Sequence, residues 1–458
     1  MVADQSALML GLPSISKFFG SDLPTTQWVL VSFVLAISIS LLPMGRLSDL
    51  IGHKRVYVIG FLLLSVTTLA AGFAPSILWL ILASFVRGVG SGMTQGTSMA
   101  LLLSIFTRRE GGKALGFYIS VVGIGSAIGP LIAGVLLSFY SWRILFLMLS
   151  GLGFVAMAAA IILVESSQVK SIKVSEFRFD WLGAILFTVG LAAFLQGMTW
   201  SPSVGYSDPK MMLVFGVSIV SILGFIFWEL NTKDPMMDLR LFKQPLFSSG
   251  IGAAFLCFIG TSSVYFLMPF YLQIVLGYSP YKIGFFSASG AISMAIVGTF
   301  SGQLSDRYGP IKFAAAGLLI MTIGIFILST LTMNSSWVLP ITGVIVTSFG
   351  MGTFYGPNNK AILSTIPQDF HGVVSGFIHL VRNSASVTSI AVGILIVTTF
   401  MASMGFAPTL SGLSSDTEYF VLQSFVKGMR FGLLCFGIVL LVGFVTSLSG
   451  GKFRENEG

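Results

Sequence analysis

Charge is what this chain has least of. Only 9% of its 458 residues are Asp, Glu, Lys or Arg, where a soluble domain carries about a quarter, so an ordinary water-facing surface is excluded. Cysteine is nearly missing too. Cys257 and Cys435 are the two copies, both inside apolar runs, which makes them packing residues and leaves no disulfide framework. Histidine occurs three times, and His-Glu-x-x-His, Gly-x-Ser-x-Gly and the phosphate-loop lysine pattern are all missing. Catalytic residues, a metal site and a cofactor are therefore not expected, and neither is a nucleotide-driven motor. The formal charge of +8 comes without a basic tract or an aromatic-interleaved patch, which argues against nucleic acid. No cleavable leader is visible, and a chain inserted through its own first helices needs none.

What the chain has instead is apolar length. It is 55% hydrophobic, with 52 glycines and 41 phenylalanines, a composition suited to packed helices that face lipid. Runs of about 20 residues, long enough to cross a bilayer, recur from end to end. They fall at 1–19, 27–45, 56–74, 77–105, 114–138, 144–164, 181–200, 210–229, 248–276, 281–301, 313–333, 337–363, 372–402 and 426–449. The expectation is an all-α membrane protein of about fourteen transmembrane helices with no soluble domain. Loop charge sets the orientation. Lys17, Arg143, Lys210, Lys282, Lys427 and Arg430 fall on one side, and a larger group, including Arg46, Lys54, Arg55, Arg108, Arg109, Lys113 and Lys312, falls on the other. The richer side is read as cytoplasmic, with both termini there. The first run is interrupted by Pro13 and Ser14-Ile15-Ser16-Lys17. What precedes is too short to cross, so this helix is expected to be truncated or to start upstream of Met1.

A polar knot between two apolar runs organises the rest. Gly45-Arg46-Leu47-Ser48-Asp49-Leu50-Ile51-Gly52-His53-Lys54-Arg55 returns as Gly302-Gln303-Leu304-Ser305-Asp306-Arg307-Tyr308-Gly309-Pro310-Ile311-Lys312. Both read Gly-x-Leu-Ser-Asp-x-x-Gly and end on basic residues, Arg55 among them. The expected structure is a tight loop between membrane helices. Gly45 and Gly302 would let helices approach, Gly52 and Gly309 would turn the chain, and Asp49 and Asp306 would cap a helix or hold a basic side chain. Two such hairpins point to a duplicated membrane domain. Its parts would be an N-terminal half at 1–164, a linker at 165–247 with two helices and charged connectors, and a C-terminal half at 248–458.

Charges within the hydrocarbon are few, which makes them informative. Asp4 is a carboxylate suited to taking and releasing a proton, or else a residue at a helix end. Arg87, among the glycines of Phe85-Val86-Arg87-Gly88-Val89-Gly90-Ser91-Gly92, would pair with Asp4, meet a ligand, or lock two helices together. Lys360 is expected to snorkel to the interface. His379 and Arg382 are three apart and share a helical face, where they could line a cavity, although a lone histidine is more often packing. In Gly125-Ser126-Ala127-Ile128-Gly129-Pro130-Leu131-Ile132-Ala133-Gly134 the glycines leave a bare face for close packing, and Pro130 kinks the helix.

These residues together resemble the major facilitator superfamily. The repeated knots look like its cytoplasmic signature, and Gly125, Gly129, Pro130 and Gly134 look like the Gly-Pro motif of its antiporters. The spans, Trp142-Arg143, Phe179-Asp180-Trp181-Leu182-Gly183, Tyr271-Leu272-Gln273, Pro357-Asn358-Asn359 and Arg382-Asn383 are similar to the fourteen-spanner drug–proton antiporter branch. The resemblance implies two six-helix halves with two central extra helices. It implies a secondary transporter that exports amphipathic, drug-like compounds across the cytoplasmic membrane in exchange for protons. Asp4 would be the proton site with Arg87 as its partner. Gly45, Asp49, Gly52, Arg55, Gly302, Asp306 and Gly309 would gate, and His379, Arg382, Asn383 and Gln273 would line the cavity. The partners implied are the lipid bilayer, a small amphipathic substrate and protons, with the protein a monomer. The chain departs from the family in two places. Asp4 lacks the ten or so residues that precede it in that motif, and Ser84 stands where the family's span-four arginine would, with Arg87 one turn on. Two other readings remain open. One is an organic-anion transporter, because Asp4 stands alone against Arg87, Lys360 and Arg382. The other is a membrane sensor that transports nothing.

Overall fold

The protein is described by a computed structural model covering residues 2–21, 23–106, 110–164, 179–205, 208–278, 280–406 and 418–455. Every apolar run becomes a helix, since a backbone in lipid must satisfy its polar groups internally. In chain order these are α1 (Val2–Phe19), α2 (Leu23–Ile51), α3 (His53–Gly72), α4 (Ile77–Ile105), α5 (Gly111–Phe139), α6 (Arg143–Leu163), α7 (Trp181–Val204) and α8 (Pro209–Asn231). They continue as α9 (Pro245–Phe270), α10 (Pro280–Tyr308), α11 (Pro310–Ser329), α12 (Val338–Leu363), α13 (His371–Ser403) and α14 (Tyr419–Glu455). Among the described residues there is no strand. Twelve of the helices, all but α1 and α5, are long and apolar enough to cross a membrane among the described residues. α1 runs through Pro13 to Phe19, the end expected of the first apolar run. A proline deletes only its own hydrogen bond, and the turn beyond it is held by Ile15, buried in a cluster with Leu8, Trp142 and Phe146.

Large apolar side chains point outward, among them Phe139, Ile162, Leu213, Val220 and Phe227. Water would not tolerate so continuous an apolar exterior; hydrocarbon requires it. Inside, many hydroxyls are satisfied by their own helix, as where Thr97 and Thr347 donate to Met93 and Gly343 carbonyls at 2.8 Å, which lets polar side chains sit between helices.

The helices pack in two similar sets. In the first, α4 lies against α2 and α3, α3 against α6, and α1 against α5; in the second, α12 lies against α10 and α11, and α9 and α11 lie against α14. The sets meet along two seams, α2 on α13 and α5 on α10. α7 and α8 form a hairpin whose α7 touches α2 and α13, with Trp200 edge-on to Trp28 at 5.2 Å. Its ends are fastened by two carboxylates. Asp180 caps α7 at Gly183 N (2.8 Å) and takes the Trp228 indole N–H (2.9 Å). Buried Glu229 takes the backbone N–H groups of Met236 and Met237 at 3.2 Å, which pins the connector to α9.

Candidate functional site

The repeated knot is not a loop. Its residues form the last turns of α2 and α10, and one residue separates each helix from the next. That residue is Gly52 at φ 102° or Gly309 at φ 94°, a region where a side chain is strained. The turn throws the carboxylates one turn back toward the seams. Asp49 accepts the N–H groups of Gly372 (2.7 Å) and Val373 (2.8 Å) at the start of α13. Asp306 accepts those of Gly112 (2.8 Å) and Lys113 (2.9 Å) at the start of α5. These donors have no partner within their own helix and lie at the positive end of its dipole. Each half therefore caps a helix of the other. Contact this close needs glycine, for a Cβ on Gly45 would lie 2.6 Å from the Gly372 carbonyl oxygen, and one on Gly302 would run into that of Gly112. Ser48 and Ser305 each donate back one turn, to Gly45 and Gly302, at 2.7 Å.

The two caps differ in what surrounds them. Asp306 is ion-paired with Lys360 of α12, so Lys360 does not snorkel as expected; the carboxylate it would have to abandon is nearer than the interface. Asp49 instead has His53 Nε2 at 3.8 Å, while His53 Nδ1 meets Ser48 Oγ at 3.0 Å. Arg46 lies over the Phe370 ring at 5.6 Å. Arg55 is exposed at the start of α3. Sequence reasoning missed the receiving helix ends. Gly112-Lys113-Ala114-Leu115-Gly116-Phe117 and Gly372-Val373-Val374-Ser375-Gly376-Phe377 share the pattern Gly-x-x-x-Gly-Phe, a second repeat that could have revealed them.

About two to three turns beyond the caps a polar cluster lies between the halves. Arg382 Nη2 donates to Gln95 Oε1 (3.1 Å), and Gln95 Nε2 donates to Ser91 Oγ (3.1 Å). Tyr118 meets Ser98 at 3.4 Å and stands edge-on to His379, ring centroids 6.5 Å apart. Tyr355 and Arg382 both lie within electrostatic reach of Tyr118. His379 is fully buried and Tyr355 nearly so. His379, Arg382 and Asn383 thus share a face of α13 as their spacing required. Gln273 does not join them. It is exposed in a π-helical turn, Tyr271–Val275, beyond α9. Ser263 pairs with Ser389 at one level, so Gln273 stands some 20 residues of helix, about 30 Å, from His379. Gln95, Tyr118 and Tyr355 were not foreseen, because nothing in their local pattern distinguishes them from packing residues.

Arg87 is completely buried, its guanidinium over the rings of Phe33 at 4.2 Å and Phe146 at 5.2 Å, a cation–π stack that joins α4 to α2 and α6. Asp4 lies in α1, but its side chain is outside the described residues, so its pairing with Arg87 is too. The bare face of α5 is packed in part. Gly123 abuts Ala291, Met294 and Ala295 of α10, whereas a Cβ on Gly125 would meet nothing within 4 Å. Close packing was expected at Gly125, but that position, two residues on from Gly123, points away from the seam into open space. Gly129 is buried, and Pro130 and Gly134 lie outside the positions whose packing is described.

Apolar helices in two similar sets, each capping the other at one end with polar residues between them beyond, define a multi-pass membrane protein. The family model described as Major Facilitator Superfamily matches residues 1–390, and the chain belongs to that superfamily. Its members are transporters, not enzymes. The chain is 28% identical to the riboflavin transporter RibZ of Clostridioides difficile over 449 residues, covering 96% of this chain and 94% of that one. It is 27% identical to multidrug resistance protein Stp of Mycobacterium tuberculosis over 390 residues (85% and 72%). It is 24% identical to the tetracenomycin C resistance and export protein of Streptomyces glaucescens over 493 residues (100% and 90%). Among solved structures, the human organic anion transporter MFSD10 has the same fold, with a TM-score of 0.63 at 11% identity over 97% of this chain and 96% of that one.

Proposed function

We propose that this protein is a proton-coupled secondary transporter that exports amphipathic, drug-like compounds by alternating access. The observation that carries the reading is the reciprocal capping of α13 by Asp49 and α5 by Asp306. Those contacts are strong enough to hold two halves shut, yet they can be broken without unfolding either half. Relatives named for multidrug resistance and for tetracenomycin C export support the direction and the breadth of substrate. In this reading all fourteen helices cross the cytoplasmic membrane of a monomer, and the division is 1–164, 165–247 and 248–458. The capped end is the cytoplasmic one, where Lys and Arg are richer and where both termini lie. Asp4 carries the proton and Arg87 stands as its partner, while Gly129 and Pro130 shape the rocking face of α5.

The test is flux from reconstituted vesicles under an imposed pH gradient, with cationic, neutral and anionic amphiphiles and riboflavin as candidate substrates. Gradient-driven movement of at least one compound, abolished by Asp4→Asn at equal protein levels, is the expected result. Movement that ignores the gradient removes proton coupling, and no movement of any compound removes the transport reading.

A further inference from the structure

The polar cluster above the caps is rich in donors and short of acceptors. Arg382 carries five N–H donors, of which one is used, on Gln95 Oε1. Neither ring nitrogen of His379 has a hydrogen-bond partner, although the residue is fully buried. The Tyr355 hydroxyl and the Asn383 Nδ2 are likewise buried without an acceptor. Among the described residues no carboxylate pairs with Arg382; the ion pairs lie at the caps, on Asp49 and Asp306. Buried polar groups normally find partners, and a cation inside a membrane protein normally finds a counter-charge. Here several donors on α12 and α13, closed off from solvent in this arrangement, have neither. The walls are aromatic: Tyr118 lies edge-on to His379, and Phe258 packs on Tyr355 at 5.7 Å.

We propose that Arg382, His379, Asn383 and Tyr355 form the receptor for an aromatic carboxylate, so that the transported compound is anionic at its polar end. A carboxylate offers several lone-pair sites and takes an arginine fork in two parallel bonds. Its ring would stand among Tyr118, His379 and Tyr355 in the edge-on and offset arrangements that aromatics prefer. A compound that ends in a quaternary or protonated amine would bring a second cation to Arg382 and no acceptor to His379. The Arg382–Gln95 bond already joins α13 to α4 across the halves, so a bound carboxylate would compete for the group that ties them together. This inference rests on the transport reading only for what happens after binding.

The experiment measures binding alone, by fluorescence anisotropy on the full chain in lipid nanodiscs. The probes are two xanthene dyes of similar shape, fluorescein with a free carboxylate and rhodamine 6G, a cation whose carboxylate is blocked as an ester. Fluorescein is expected to bind more tightly, by about tenfold or more, the worth of hydrogen bonds to a charged group. Arg382→Gln should weaken fluorescein by a similar factor and leave rhodamine 6G within about twofold, and Arg382→Lys should keep most of the difference. Unfolding midpoints identify any variant that fails to fold, and the wild-type comparison does not depend on them. Fluorescein held no more tightly than rhodamine 6G overturns the proposal, as does an Arg382→Gln variant that folds and changes neither dye or both alike. Fluorescein that binds as stated but is not moved in vesicles removes the transport reading and leaves the receptor standing. Gradient-driven export of rhodamine 6G with no preference for fluorescein does the reverse.

Discussion

Asp49 and Asp306 do across a seam what an N-cap residue does within one helix. A carboxylate accepting two backbone N–H groups is worth more than an amide in the same place by about 1 kcal/mol per charged bond. Asp49→Asn weakens two such bonds and should therefore shift the capped arrangement toward the open one by roughly 30-fold. The surroundings of Asp306 make a sharper prediction. Asp306→Asn leaves Lys360 half-buried without its carboxylate, whereas Lys360→Met leaves Asp306 with both of its N–H partners. The asparagine variant should be the more damaging, because stranding a charge costs more than removing it with its partner still satisfied. A cysteine at Ser375, fully buried beside the caps, reports the difference. Its labelling rate by a polar thiol reagent, with Cys257 and Cys435 replaced, should rise most in Asp306→Asn. Equal rates in the two variants would mean that Lys360, not the backbone cap, holds that seam. The sequence made the two aspartates legible as capping residues, since a repeat draws the eye to them. It hid which helix each one caps, because a backbone N–H has no residue type to betray it.

At the scale of the helix, glycine has opposite meanings in neighbouring stretches. A Cβ on Gly302 runs into the Gly112 carbonyl, and one on Gly125 meets nothing. Gly302→Ala should thus destabilise the arrangement described here by about 1–3 kcal/mol, the usual cost of overpacking, while Gly125→Ala should leave it unchanged. Thermal unfolding in detergent distinguishes them. A matching loss in Gly125→Ala would mean that α5 closes on a neighbour along its full length. Helix existence was readable from apolar length alone, but α2 and α10 run six and seven residues past their expected ends, through the knots, and α14 extends beyond its expected span at both ends. Pro13 interrupts the apolar pattern without ending the helix, because the turn beyond it packs on Trp142 and Phe146. Gln273 misled. Its motif suggested a cavity residue, but a π-helical turn after Pro269 carries it to the far end of α9, and sequence does not announce such a turn.

For the whole molecule, the division into halves was visible in the repeat, while the seams between them were not. One apolar core runs across both halves, and at the capped end they also meet through glycine surfaces and carboxylate caps. Co-expression of 1–170 with 171–458 should therefore restore part of the flux, and either piece alone should restore none. Flux lost altogether despite both pieces reaching the membrane would mean that the halves fold only as one unit.

The two caps also have the geometry of an isologous dimer contact, in which the same patch is given and received on both sides of a twofold axis. A rigid turn about such an axis stretches both contacts equally, so neither latch can release ahead of the other. Their free energies then add within one transition, and their effects on the population multiply. If each asparagine substitution alone shifts the balance about 30-fold, the two together should shift it about 900-fold, as independent sites that share one equilibrium do.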